Sequence, residues 1–549
     1  MKRRLEGLLQ HALSTAREGG ALKSQSLPPL IFEVPKDPKF GDLATTVALA
    51  LARQERCAPR AIAETIVAHL ADPDGLLAET KIEGPGYINF RLSPGFWQRC
   101  LAEIEDASFG QIDLGGGRPV LVEFVSANPT GPLTIGHGRN AVLGDAIARL
   151  LEATGHRVTR EYYFNNAGRQ MALLGESVRA RYLELIGRAG TLPEEGYRGE
   201  YIVDIARALH SECGDALADE PATGRFKAAA ERAILGDIAT TLRRMSIEFD
   251  SYFNEDSLYA GGQIYAILDE LRSRNLALDR DGAVWLCGEP LGLDKDRVLV
   301  KSSGEPAYRL PDIAYHKDKL QRGFDLLIDV LGADHIAEHE DVRRALEALG
   351  YDVAKIKAII YQFVTLTRGG VQVKMSTRRA EYVTVDELLD DVGRDVVRFF
   401  FLTRKADSHL EFDLDLAKKQ SADNPVFYVQ YAHARVCSLF RQATSAGVRR
   451  AAAADAQLET LTAPEEVAVV KLLAQYPDVV EDAARALEPH RIVFFLIELA
   501  SEFHRFYNRH RVITDDAART GARLYLAWAT GRVIGAGLQL VGVSAPERM

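Results

Sequence analysis

Residues 119–145 read PVLVEFVSANPTGPLTIGHGRNAVLGD, and this stretch decides the fold. After Pro119 comes an apolar run, Val120 to Val125, broken by one acid, Glu123. A loop dense in turn formers follows: Ser126, Asn128, Pro129, Thr130, Gly131 and Pro132. The chain then passes through Gly136-His137-Gly138 into a helical pattern from about Asn140. A strand, a glycine-bearing loop and a helix start together make a phosphate site. The glycines let the backbone approach a ligand, and the helix N-terminus offers free N–H groups and partial positive charge.

The neighbouring sequence extends the pattern. Val142, Ala146, Leu150 and Leu151 line one face of a helix expected over Asn140 to Thr154. Val158 to Phe164 reads as the next parallel strand, ending in the polar turn Asn165-Asn166-Ala167-Gly168 and a new helix at Gln170. This β-loop-α-β order begins a doubly wound sheet. Three readings of the glycine loop compete. An ordinary βα turn needs no connection so long. A dinucleotide fingerprint fits Gly136, Gly138 and Ala141, but about ten residues separate them from the strand, and no Walker Lys-Ser/Thr follows. The third is the ATP motif H-x-G-H of class I aminoacyl-tRNA synthetases. Thr134-Ile135-Gly136-His137 resembles it, with Thr134 where the motif has its first histidine.

At 549 residues the chain is too long for one core, and several domains are expected. Its 47% hydrophobic and 26% charged residues are those of a soluble globular protein. The longest tempting apolar segment, Ile492 to Ala500, is short and carries Glu498, so no membrane span is predicted. The N-terminal residues show helical spacing without a signal-type apolar core. Cys57, Cys100, Cys213, Cys287 and Cys437 are scattered, which argues against structural zinc and disulfides and fits a reducing cytoplasm. The formal net charge of −10 does not advertise a nucleic-acid binder, although a local basic face would matter more than the total.

Along the chain, residues 1–112 read as an α+β module. Leu5, Leu8, Leu9 and Leu13 mark a first helix, Leu43 to Arg53 a second, and Gly84 to Leu92 a turn and strand. Gly115-Gly116-Gly117 links it to a catalytic unit over 113–385, in which about 176–275 is a helical insertion. Within that unit, Asp250 to Tyr259 is aromatic and acidic. Gly282 to Leu286 and Arg297 to Lys301 read as strands, as do Asp325 to Leu331 and Ile356 to Phe363. Tyr308 to His316 is a strand-to-helix transition with Asp312 near the helix start. Gly369-Gly370 then leads to the basic loop Val373-Lys374-Met375-Ser376-Thr377-Arg378. From about 386 the chain reads as helical to its end, apart from Ala443 to Ala456, with a connecting stem over 386–423 and a helical domain over 424–549.

These elements, in this order, resemble arginyl-tRNA synthetases over essentially the whole chain. The carriers are SANPTGPL and GHGR in residues 126–139, Tyr197 to Ile202, the Lys374-Met375-Ser376 loop, which is similar to K-M-S-K-S, and Asn424 to Arg435, which is similar to the opening of the helical anticodon-binding domain. The resemblance implies arginine--tRNA ligase activity. L-Arginine and ATP, with Mg2+ as part of the substrate, would give arginyl-adenylate, and the arginyl group would pass to the 3′ end of tRNA(Arg). It implies no tightly bound metal or prosthetic group, a cytoplasmic monomer, and no membrane partner. Thr134, Gly136, His137, Gly138, Lys374, Met375 and Ser376 would meet ATP, with His137, Lys374 and Ser376 as the catalytic set. A guanidinium calls for carboxylates, so Glu123 and Asp312 would line an arginine pocket with Ser126, Asn128 and Tyr308. Glu123, an acid inside an apolar strand, would otherwise need a structural arginine. Tyr87 and Asn89 of the first module, and Arg505, Arg509 and Arg511 of a basic-aromatic segment, would contact tRNA. Two other classes stay open: a synthetase-like RNA-binding or regulatory protein without catalysis, and a class I synthetase for another amino acid.

Overall fold

Strand β1, Pro119–Glu123, lies at the centre of a five-stranded parallel sheet. In the computed structural model, which describes residues 1–166, 168–373 and 384–549, β1 is flanked by β2, Arg157–Phe164, and by β4, Leu326–Gly332. The edges are β3, Ser251–Asn254, beside β2, and β5, Ile356–Tyr361, beside β4. The spatial order β3-β2-β1-β4-β5 reverses direction between β1 and β4, the switch point at which open α/β sheets bind ligands. The continuous apolar run of β1 follows from coverage on both faces. Val120 and Val122 pack into one core with helix α1, Ile135–Ala153, while Leu121 packs into a second core with helix α2, Arg309–Gln321, and helix α3, Ile336–Ala348.

The first module folds around its own core of Leu5, Leu9, Leu13, Ile66 and Phe90, under an antiparallel sheet that includes Tyr87–Leu92. Leu43–Thr45, expected to open a helix, is instead a strand of that sheet, and the helix starts at Val47. Cross-strand pairing to Phe90 decides the matter over local helix propensity. The helical excursion after β2 returns to the main sheet as β3, so the chain is back in the sheet well before residue 275. The residues 283–286 and 297–300 are strands as expected, and they pair antiparallel.

Beyond residue 386 the chain is not all helix. Leu410–Asp413 is a strand parallel to Val364–Arg368, with Leu410 and Phe412 buried. Four long helices close the molecule: α4 Pro425–Ser445, α5 Pro464–Ala486, α6 His490–Arg509 and α7 Ala517–Leu540. Asn424 caps α4 through its own side chain, accepting from the Val426 N–H at 3.2 Å. None of the described helices is long and apolar enough to cross a membrane.

Candidate active site

The end of β1 and the start of α1 frame a cavity of about 730 Å³. Two residues between them hold backbone that side chains rarely adopt: Val125 at φ 66° and Ser126 at φ 42°. Asn140 of α1 clips this strained bend. Its Oδ1 accepts from the Val125 N–H at 2.6 Å, and its Nδ2 donates to the Val330 carbonyl of β4 at 2.9 Å. The clip ties β1, α1 and β4 together at the switch point.

At the helix start, Thr134 occupies the N-cap position. Its backbone N–H donates to Nδ1 of His137 at 3.2 Å, and its hydroxyl lies at the same distance from that nitrogen. Nδ1 is therefore the acceptor and the ring proton sits on Nε2, the ring's remaining donor. Burial pushes the His137 pKa down, which keeps the ring neutral. Thr134, Gly136 and His137 all line the cavity. Gly138 does not. A Cβ there would sit 2.9 Å from Val385 and 3.2 Å from Phe401, so the absence of a side chain here lets α1 pack closely against the start of the chain's C-terminal half. Lys374, Met375 and Ser376 lie outside the described residues. The chain resumes at Thr384, which bridges to Thr134, while the Val385 N–H donates to the Leu133 carbonyl at 2.9 Å. Thr384 and Val385 are thus fastened to the N-terminus of α1.

The far side of the cavity is acidic. Asp312, in the first turn of α2, has no ion-pair partner among the described residues. Burial, then the charges of Glu338, Glu255 and Glu123, hold its carboxyl well above the usual carboxylate range; Lys319 opposes them without prevailing. Glu255 is 5% exposed and is met by the hydroxyl of Tyr163 and by the amide of Asn165 at 2.9 Å, with no ion-pair partner among the described residues. Burial raises its pKa as well. Tyr308, 68% exposed, stands at the cavity wall one turn before Asp312. Asn128 lines the cavity and donates to Gln170 at 3.2 Å.

Glu123 has a different situation from Asp312. Its carboxylate is met by buried Lys319 and accepts from the Ser126 hydroxyl at 2.8 Å. Its structural cation is Lys319 of α2, not an arginine. Ser126 Oγ also accepts from the Tyr163 N–H at 3.2 Å, so this hydroxyl is committed to the wall. Glu255, Glu338, Tyr163 and Gln170 were not singled out by sequence. Glu255 lies in the aromatic-acidic run 250–259, which was the available signal. The pairing of that run with β2, which brings it to the site, was not legible.

The outlying residues are also placed. Tyr87 is 40% exposed on the outer face of the first module's sheet; Asn89 shares that face but is 7% exposed and offers RNA little surface. Arg505 is paired with Glu502 at 3.1 Å, Arg509 with Glu465, and Arg511 is exposed. Between α4 and α6, Arg435 lies over the rings of Tyr431 and Tyr507, at 4.7 and 4.6 Å from their centroids.

The family model "tRNA synthetases class I (R), catalytic domain" matches residues 102–188 and 218–404. "Arginyl tRNA synthetase N terminal domain" matches 3–92, and "DALR anticodon binding domain" matches 429–549. An arginine--tRNA ligase of Desulfotalea psychrophila is 51% identical over 551 residues, covering 100% of both chains. The chain belongs to the arginine--tRNA ligase family. An arginine--tRNA ligase of Chlorobium phaeovibrioides is 48% identical, covering 95% of this chain and 96% of that one. Among solved structures, Thermus thermophilus arginyl-tRNA synthetase superposes with a TM-score of 0.79 at 24% identity, covering 100% of each chain, a likeness of fold. As in that family, the three modules follow one another as N-terminal, class I catalytic and anticodon-binding domains.

Proposed function

We propose that the protein activates L-arginine with ATP and transfers the arginyl group to tRNA(Arg). The observation that carries this reading is a pair of acids, Asp312 and Glu255, neither with an ion-pair partner among the described residues, set across one cavity from the N-terminus of α1. A guanidinium supplies the permanent charge and planar donors that such carboxylates need. Arginine lies with its side chain toward Asp312, Glu255 and Tyr308, and its carboxylate points toward the helix start. MgATP lies against Thr134, Gly136 and His137, where free N–H groups and the Nε2–H of His137 meet phosphate.

A carboxylate oxygen of arginine attacks the α-phosphorus, the bond from that phosphorus to the bridging oxygen breaks, and pyrophosphate leaves. The protein positions the reactants and neutralises charge; no covalent nucleophile is required. Lys374 and Ser376 serve the departing pyrophosphate. The terminal ribose hydroxyl of tRNA then attacks the arginyl carbonyl and releases AMP. Asn128 orients the amino-acid backbone groups, and Ser126 acts through Glu123 and the wall. The protein works in the cytoplasm as a monomer.

ATP–pyrophosphate exchange tests the reading, run with each amino acid and with or without tRNA. Exchange with arginine alone among the amino acids is expected, once cognate tRNA is present. Exchange with another amino acid, or none at all, overturns the assignment; the latter result would favour a non-catalytic RNA-binding role.

A further inference from the structure

The proposed reaction leaves one cluster beside the cavity unused. Asp329 of β4 is 1% exposed, and its Oδ1 accepts from Lys319 at 2.7 Å. Lys319 also meets Glu123, so two carboxylates share one lysine and negative charge is left over. The other oxygen of Asp329, Oδ2, has Nε2 of His316 at 3.1 Å and Nε2 of His339 at 3.2 Å. His316 comes from α2 and His339 from α3, so three elements converge on this point. The three donor atoms lie within 4.8 Å of one another, and all three residues line the cavity.

The ring of His316 is oriented from behind. Its Nδ1 lies 2.8 Å from the Asp312 carbonyl, which can only accept, so Nδ1 carries a proton. In the neutral ring, Nε2 then presents a lone pair to a carboxylate oxygen at 3.1 Å. Two acceptors at that separation call for a positive charge between them. A histidine whose Nδ1–H is held by a backbone carbonyl while Nε2 faces inward has the outer support typical of a metal ligand. The gaps of 3.1 and 3.2 Å also match neighbouring donors on an ion with bonds of about 2.0–2.2 Å. Two imidazole nitrogens and one carboxylate oxygen suit zinc-like transition ions better than Mg2+ or Ca2+.

We propose that His316, Asp329 and His339 form a site for a divalent transition-metal ion at the cavity wall, and that its occupation opposes arginine binding. The second half rests on the arginine pocket proposed above. The residue whose carbonyl holds His316 is Asp312, and a divalent cation nearby supplies charge that the guanidinium would otherwise bring. By linkage, arginine weakens metal binding by the same factor.

The test uses the full-length protein, stripped with a chelator and titrated with Co2+ in equilibrium dialysis and by visible absorption. One Co2+ per chain is expected, with ligand-field bands and no thiolate charge-transfer band, which separates the site from the cysteines. His339→Ala and Asp329→Asn are each expected to weaken Co2+ by at least about tenfold. His339 is the more peripheral ligand; if Asp329→Asn does not fold, His339→Ala and His339→Gln carry the comparison. Arginine affinity, measured by calorimetry on metal-free protein, is expected to fall about tenfold when Co2+ saturates the site. No stoichiometric Co2+, or equal binding by His339→Ala, overturns the site. Stoichiometric Co2+ with unchanged arginine affinity overturns the competition. Failure of arginine to bind metal-free protein would instead strike the arginine pocket and leave the metal result intact.

Discussion

Asp312 and Glu123 look alike in sequence, each an acid in an apolar setting, yet their surroundings give them different work. Asp312 has no ion-pair partner among the described residues and faces other acids, so Asp312→Asn is expected to weaken arginine by about 1.5–3 kcal/mol, roughly ten- to a hundredfold, with ATP affinity nearly unchanged. Separate calorimetric titrations with arginine and ATP check this. Glu123 already has Lys319, and Glu123→Gln leaves a buried lysine with Asp329 alone. Loss of one partner from such a pair costs about 3–5 kcal/mol, so a lower melting temperature is the first expected effect, and weaker arginine binding the second. The raised pKa of Asp312 has its own consequence. A carboxyl whose folded pKa lies above its unfolded one binds more protons in the folded state, so stability falls as pH rises from the ordinary aspartate range through the folded value. Arginine needs the charged form. Its affinity should therefore rise with pH over that window, with net proton release seen by calorimetry in buffers of different ionisation enthalpy; a pH-independent affinity would contradict the pocket.

At the scale of the element, α1 explains both what the sequence disclosed and what it concealed. The strand, loop and helix order was legible because a parallel strand covered on both faces must be apolar throughout, and because turn formers bound it. The role of each glycine was not. Gly136 faces the cavity, whereas Gly138 backs onto Val385 and Phe401, residues more than two hundred positions away whose approach no local pattern encodes. The strand Leu410–Asp413 was hidden for the same reason, since its partner is Val364–Arg368 and it lies between helices. Gly138→Ala is expected to lose about 1–3 kcal/mol of stability from overpacking, read as a lower melting temperature, with ATP affinity retained where the protein is folded. Thr134→Val removes the hydroxyl beside His137 Nδ1 but keeps the backbone N–H that fixes the ring. It is expected to cost about 0.5–2 kcal/mol at the helix start and to leave arginylation measurable, while Thr134→His is tolerated. An inactive natural protein rescued by Thr134→His would overturn the view that threonine suffices. Lys374→Ala should slow adenylate formation in single-turnover kinetics while substrate binding stays nearly intact, because charge builds on pyrophosphate only as the bond breaks.

For the molecule as a whole, tRNA must reach from the cavity to the helical C-terminal domain, and a net charge of −10 makes local cations decisive. The basic-aromatic segment drew attention in sequence, but Arg505 and Arg509 are each paired with an acid, Glu502 and Glu465. The Arg505–Glu502 pair lies at the surface, where such pairs are weak enough to open for phosphate, whereas Glu465 is buried and also meets His510; as phosphate contacts these arginines would bind RNA without reading it. Arg435 differs. It is stacked between Tyr431 and Tyr507, and its guanidinium is oriented by His504 Nδ1 at 3.0 Å, while Tyr431 remains 46% exposed. An ordered cation with an exposed ring is a platform on which an unpaired base stacks, and stacking is worth about 1–3 kcal/mol per base. Two distinct signatures are expected from filter-binding titrations at two salt concentrations. Arg505→Ala with Arg509→Ala should weaken tRNA modestly and flatten the salt dependence by about one unit per lost phosphate contact. Tyr431→Ala should weaken tRNA by about 1–3 kcal/mol while leaving the salt slope in place, because stacking releases no counterions. Equal affinity in wild type and Tyr431→Ala would remove this platform from the interface; a flattened slope in Tyr431→Ala would show that the ring acts through Arg435 on phosphate instead of on a base.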